Sequence, residues 1–289
     1  MLARRVGLFA LALFLAAAVA HRLGSLAAPN FIAVAGVAVL IAVLGLLLGL
    51  VGIWRLWKVG AKGGWASFTA LIAAAIVLVP VGYAAWLYVT RPDIHDVSSN
   101  VMNPPQWLVP PSADQEWLPR HTVSTTAASA LQAEAYPQIV SRRYEGAMDR
   151  VLQAVKMAIR DENMKVVAET GTAGASPAVA PDRAPDSSTP DVDTPREVAS
   201  GVIPVPLNRP SPLPIIPDDT PAAPRTVRIQ AVHRSAVFGL TSDVVIRLTE
   251  NAETTVVDMR VASRYGDNDL GSGAALIRSF FNSLDTDLL

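Results

Sequence analysis

The chain has 289 residues, and 51% of them are hydrophobic, which is a high share for a soluble protein. It contains no cysteine, so disulfides, thiolate nucleophiles and zinc–sulfur sites are excluded. Residues 1–92 hold seven Lys and Arg and no acid, which leaves 17 basic and 25 acidic residues in the remainder. An acidic C-terminal part without a basic stripe argues against nucleic acid as a partner.

Residues 1–92 are predicted to form a membrane unit with spans at about 6–28, 31–54 and 65–90. The second and third spans contain uncharged runs at 31–54 and 63–90, and about 20 helical residues cross a hydrocarbon core. The first apolar run, 6–20, is shorter. We interpret it as a retained helix, with a cleaved secretory signal as the alternative, because Ala18-Val19-Ala20 fits a cleavage site.

The distribution of basic residues predicts the orientation of the membrane unit. Lys and Arg are enriched in cytoplasmic loops. Five of the seven basic residues fall on one side of the three spans: Arg4, Arg5, Arg55, Lys58 and Lys62. Only Arg22 and Arg91 fall on the other side. The chain is therefore expected in the inner (cytoplasmic) membrane, in contact with membrane lipids, with its C-terminal domain extracytoplasmic or periplasmic.

The second span carries a stripe of small residues on one helix face, at Ala38, Ala42, Gly45, Gly49 and Gly52. Small residues at this spacing permit close approach between helices in a membrane. The favoured interpretation is packing against the other two spans of the same chain. The alternative is a homodimer through the Gly45/Gly49 face.

The remainder is predicted to contain an extended Pro- and Trp-containing arm at 93–135 and a soluble α+β domain at 136–289. A helix is expected at 145–162, strands at 165–169, 226–232, 243–249 and 255–262, and a final helix from about 271. One-sided alternation in the strands favours an antiparallel sheet with helices packed on one face.

A Pro-rich insertion at 171–224 is predicted to be disordered, either as a plain surface loop or as a docking segment for an envelope protein.

Two stretches of the sequence resemble a bacterial membrane-anchored family. One is Ile94-His95-Asp96-Val97-Ser98 with Asn103-Pro104-Pro105 after it, and the other covers 258–266 with Asp269-Leu270-Gly271. They resemble the family of domain of unknown function 1499. The resemblance implies a domain type and no activity. The chain departs from the family pattern at Val261, Gly273 and Leu276, where Ser, Asn and Arg are expected. The resemblance therefore implies no ligand contact at these three positions.

Five polar residues near the C-terminus form the candidate ligand-binding cluster: Asp258, Arg260, Ser263, Arg264 and Asp269. The two arginines are able to hold an anionic head group by forked hydrogen bonds, and the helix start near Gly271 offers free amides to the same anion. The alternative, which the sequence favours, is structural. In that interpretation Arg260 pairs with Asp258 and Arg264 pairs with Asp269, and the pairs fasten strand to helix.

The leading functional interpretation is a non-enzymatic envelope protein that binds a partner or a small anionic or lipid ligand. The alternative is a hydrolase or transferase acting on envelope material, with Asp258, Asp269 or His95 as general acid or base. A third interpretation is a pure interaction scaffold. No catalytic residue, metal site or cofactor is predicted, because His95, Asp96 and Ser98 lie on a Pro-rich arm without a rigid nucleophile and because no cofactor-binding motif occurs.

Overall fold

A computed structural model describes residues 2–60, 64–111, 125–172, 224–235 and 239–288. Apart from its ends, the predicted insertion at 171–224 lies outside these residues, and its disorder stays a prediction. Met1–Ala173 and Arg225–Leu289 belong to one unit, in which three N-terminal helices precede a sheet domain.

The N-terminal helices are α1 (Leu2–Arg22), α2 (Ala28–Val59) and α3 (Gly64–Thr90). All three are long and apolar enough to cross a membrane. The first predicted span ran to residue 28, whereas α1 ends at Arg22. A turn follows in which Gly24 has a φ of 82°, a conformation that favours glycine, and Pro29 stands in the first turn of α2.

The small-residue stripe of α2 packs within the chain. A Cβ atom added at Gly45 would lie 3.2 Å from Cα of Gly7 in α1, and one added at Gly49 would lie 3.1 Å from the Leu71 side chain in α3. Ala38 and Ala42 are fully buried in the same bundle core. The Gly45/Gly49 face is thus covered by α1 and α3, which is the intramolecular packing favoured from the sequence.

The C-terminal part has the predicted α+β fold, with an antiparallel sheet. Its strands are β1 (Asp96–Ser98), β2 (Arg142–Glu145), β3 (Lys165–Thr170), β4 (Thr226–Arg234), β5 (Thr241–Glu250) and β6 (Thr254–Ser263). The order is β1-β6-β5-β4-β3, and β2 pairs with the same edge of β6 as β1. The helices are α4 (Thr125–Ala135), α5 (Met148–Asp161) and α6 (Ser272–Leu288).

The two faces of the sheet differ in chemistry. Val257, Met259 and Val261 of β6 point into the core with α5 and α6, because alternate residues of a strand face opposite sides. Asp258 and Arg260 point to the opposite face, which we call the polar face. The prediction of helices packed on one side of the sheet is confirmed for α5 and α6, which both pack on the core face.

The predicted arm at 93–135 is extended only in part. Residues 103–109 run along the polar face without helix or strand structure. Residues 125–135 instead form α4, because their Ala-rich sequence has high helix propensity. Gln132 of α4 accepts from the Ser98 amide at 3.0 Å and donates to the Ser98 carbonyl at 2.6 Å, so its side chain covers the outer edge of β1.

Candidate functional site

Asp258 is buried on the polar face and is held by an arginine of the neighbouring strand. Arg247 of β5 stands directly opposite Asp258 in the strand register. Its Nε and Nη2 atoms donate to Asp258 Oδ2 at 3.0 and 2.5 Å, and the Ser141 hydroxyl donates to Oδ1. The Asp258 side chain is only 3% exposed. This carboxylate therefore has a structural role, and it is bonded to Arg247 instead of the predicted Arg260.

Arg260 pairs with Asp96 of β1. Its Nε donates to Asp96 Oδ1 at 2.9 Å and its Nη2 to Oδ2 at 2.6 Å, which is the forked geometry that binds carboxylates strongly. The remaining Nη1 donates to the Pro105 carbonyl at 3.1 Å, and the guanidinium carbon lies 4.9 Å from the Trp107 ring centroid. Arg260 thus joins β6 both to β1 and to the chain segment that crosses the polar face.

Arg264 binds Asp243 of β5. Two parallel hydrogen bonds of 2.9 and 2.8 Å connect the guanidinium to this buried carboxylate, and they raise the pKa of Arg264. The predicted partner, Asp269, does not bind Arg264 and instead accepts hydrogen bonds from backbone amides of α6 and of the turn before it.

Ser263 extends the β1–β6 pairing, because its amide donates to the His95 carbonyl at 2.8 Å, while its hydroxyl donates to the Tyr265 carbonyl.

Asp269 lies on the helix side of the sheet, away from the polar face. Its Oδ1 and Oδ2 accept from the Gly271 and Gly273 amides at 2.7 Å each, so it caps the start of α6. Burial raises the pKa of this carboxyl despite the amide bonds. The buried hydroxyl of Tyr136 lies in the same region, and burial followed by the Asp269 charge raises its pKa.

The neighbouring Asn268 connects the sheet domain to α3. Its amide nitrogen lies 3.4 Å from both the Tyr88 and the Arg91 carbonyls and donates to Asp93 Oδ1 at 3.0 Å. Carbonyls at a helix C-terminus have no partner within the helix, and Asn268 supplies one. The adjacent residues Asn268 and Asp269 therefore cap the C-terminal end of α3 and the N-terminal end of α6.

A cleft of about 290 Å³ opens beside Arg260, and we call it the Arg260 cleft. Its charged and polar walls come from the segment after α3, from α4 and from β6, and they include His95, Asp96, Trp107, Ser129, Gln132 and Arg260. The first of its lining residues along the chain is Asp93, three residues after the end of α3. Of the five predicted site residues, only Arg260 lines it.

The domain type follows from the comparison with protein families. The family model for a protein of unknown function (DUF1499) matches residues 115–284, which is more than half of the chain. The chain belongs to the DUF1499 family. No curated protein and no solved structure matches the chain. The Arg260 cleft combines residues 93–107, which precede the matched part, with α4 and β6 of the DUF1499 domain.

Sequence reasoning missed the partners of the arginines. Arg260 pairs with Asp96, Arg264 with Asp243, and Arg247 with Asp258. One pattern in the sequence was available. Asp243 and Arg247 of β5 are an even number of residues apart, as are Asp258 and Arg260 of β6, so the two residues of each pair lie on the same face of their strand. The strand register places both pairs on the polar face. Within the described ranges, no group of three or more His, Asp or Glu residues could hold a metal ion in this DUF1499 protein.

Proposed function

We propose that this DUF1499 protein is a non-enzymatic envelope protein whose sheet domain binds a small anionic or lipid ligand in the Arg260 cleft. The observation that supports the proposal most is the position of the cleft. The cleft combines an arginine with two carboxylates, Asp93 and Asp96, an aromatic ring, and hydroxyl and amide groups. Its lining includes Asp93, three residues after the last candidate membrane span. Concave sites with a few convergent polar groups are the usual location of ligand binding.

An anionic group would bind by replacing Asp96 on the guanidinium of Arg260. The Asp96 side chain is 29% exposed, so solvent and ligands reach it. Trp107 and the Pro105 carbonyl hold the guanidinium in place while the carboxylate moves away. Arg264 is less suited to this exchange, because its partner Asp243 is only 3% exposed.

The alternative, a hydrolase or transferase, has weaker support. Two of its three candidate acid–base residues, Asp258 and Asp269, are buried and already hold hydrogen bonds that stabilise the fold. Only His95 lines the cleft. Turnover of an envelope component that was lost in His95→Gln, with the fold intact, would favour the enzyme.

We further propose that the cleft faces the extracytoplasmic or periplasmic side of the inner membrane, as the basic residues of the spans indicate. Because the chain lacks cysteine, single-cysteine variants report the topology directly. A membrane-impermeant maleimide applied to spheroplasts should label Met102→Cys and leave Val59→Cys unlabelled until the membrane is permeabilised. Both positions are highly exposed, so the opposite labelling pattern would reverse the proposed orientation.

Native mass spectrometry of the full-length protein, released gently from its own membrane, tests ligand binding. The wild type should carry a bound mass that Arg260→Gln loses. Arg142→Gln is the matched control, because Arg142 is an exposed arginine that pairs with Asp285 away from the cleft. An unliganded wild type, or equal retention in Arg260→Gln, would contradict the proposal.

A further inference from the structure

A second cleft, of about 530 Å³, lies between the segment after β1 and the segment after α4. We call it the Met102 cleft. Its apolar walls are Val101, Met102, Tyr136, Pro137, Ile139 and Val140. Two of these side chains leave much of their surface in water, since Met102 is 94% exposed and Val140 is 53% exposed. Exposed apolar side chains grouped around a concavity are typical of a binding surface.

The Met102 cleft adjoins the Arg260 cleft. Val101 and Gln132 line both of them. The two hydrogen bonds between Gln132 and Ser98 fix this shared wall in place. A single ligand could therefore contact both clefts at once, with a charged end beside Arg260 and an apolar part beside Val101 and Met102.

We infer that the Met102 cleft binds an acyl chain of an anionic bilayer lipid whose head group occupies the Arg260 cleft. This inference rests on the proposed function and names its ligand class. Three observations support it: the guanidinium of Arg260 in one cleft, the apolar walls of the other, and the attachment of the domain to α3 through Asn268 next to the end of a candidate membrane span. A purely polar ligand would leave Met102 and Val140 in water.

Photo-crosslinking with the full-length protein in lipid nanodiscs tests the inference. The nanodiscs contain phosphatidylcholine and a minor fraction of phosphatidylglycerol that carries a diazirine either in its acyl chain or in its head group. After irradiation, cross-linked peptides are mapped by mass spectrometry. The acyl-chain probe should label 101–102 and 137–140 in addition to the three N-terminal helices, and the head-group probe should label 93–107.

Val140→Asp supplies the decisive variant, because a carboxylate in the apolar wall disfavours an acyl chain. Labelling of the Met102 cleft by the acyl-chain probe should fall on the order of tenfold, the change expected from losing the burial of one valine. Val166→Asp on β3 is the matched control, since Val166 is 44% exposed and lies outside both clefts, and its labelling should equal that of the wild type.

The outcomes separate the two proposals. Labelling of 93–107 by the head-group probe, with the acyl-chain probe confined to the N-terminal helices, would overturn the acyl-chain inference and leave the proposed function standing. Labelling of the sheet domain by neither probe would overturn the acyl-chain inference, and an unliganded wild type in the native mass spectrum would overturn the proposed function as well. Equal labelling of wild type and Val140→Asp would also overturn the inference, because the apolar wall would then not contact the chain.

Discussion

Asp96 accepts two parallel hydrogen bonds from the guanidinium fork of Arg260, which is formed by Nε and Nη2. The Nε–Oδ1 distance is 2.9 Å and the Nη2–Oδ2 distance is 2.6 Å. The pair lies at the start of β1, shortly after the chain leaves α3, and it forms one wall of the Arg260 cleft. The same arginine also holds the Pro105 carbonyl. A ligand that removes Asp96 from the fork would therefore act on a residue that also fastens the segment crossing the polar face.

The Arg247–Asp258 pair should be the stronger structural element of the polar face. Asp258→Ala leaves the guanidinium of Arg247, whose side chain is 14% exposed, without its charge partner. Breaking a buried ion pair in this way costs about 3 kcal/mol or more. Chemical denaturation of the full-length protein in detergent measures the loss in the free energy of unfolding.

Asp149→Ala is the control for that experiment, because its pair with Arg225 is exposed and a surface pair contributes about 1 kcal/mol or less. Equal losses for Asp258→Ala and Asp149→Ala would show that burial does not set the strength of the polar-face pair.

Asn268 should fix the sheet domain to the end of α3. Asn268→Ala removes the side-chain nitrogen that donates to the Tyr88 and Arg91 carbonyls. It also removes the side-chain oxygen that accepts from the Leu270 amide at 2.7 Å. Hydrogen exchange of the Leu270 amide should then accelerate by on the order of tenfold, because one net hydrogen bond is worth about 1 kcal/mol. Asn282→Ala, at an exposed position of α6, should leave this exchange unchanged, and no acceleration in Asn268→Ala would contradict the capping role.

Asp269 should make stability depend on pH with an unusual sign for a carboxylate. Burial raises its pKa in the folded state above the ordinary value of 3.8, so the folded state binds the proton more tightly than the unfolded state. Its contribution is then complete below that ordinary value and is lost as the pH rises through the folded pKa. Relative to Asp269→Asn, the wild type should therefore lose stability as the pH increases across this window.

Thermal unfolding of both proteins at a series of pH values measures this difference. The comparison with Asp269→Asn cancels the titration of the other groups, because the asparagine does not titrate. A difference that stays constant with pH would show that the amide bonds of Gly271 and Gly273 balance burial, and one that grows in favour of the wild type as the pH rises would show that they outweigh it. Either result would contradict the prediction.

The sequence was sufficient for the elements whose periodicity is strong. The stripe that contains Met148, Val151 and Val155 lies on α5, and the alternation of Val257 and Met259 lies on β6. Such patterns depend on neighbours within one element, where the period of 3.6 or 2 residues fixes which side chains share a face. The α+β fold class followed from these local periods.

The pairing of the arginines could not be predicted in the same way. Arg260 and Asp258 share a face of one strand, yet residues two apart along a strand are roughly 7 Å apart, whereas residues opposite each other on adjacent strands are about 5 Å apart. The partners therefore depend on the strand register. β1, which supplies Asp96, has only three residues and no recognisable alternation, and Asp269 leaves the polar face because the chain turns into α6.

Retention of phosphatidylglycerol by Asp96→Asn tests whether an anionic ligand replaces Asp96 on Arg260, because this variant removes the carboxylate charge from the guanidinium while keeping the shape of the side chain. The full-length wild type, Asp96→Asn and Arg260→Gln proteins are loaded with the same lipid and compared by native mass spectrometry. Competition by one carboxylate predicts that Asp96→Asn retains on the order of tenfold more lipid than the wild type, while Arg260→Gln retains least. Equal retention by the wild type and Asp96→Asn would contradict binding of an anionic ligand to Arg260 in place of Asp96.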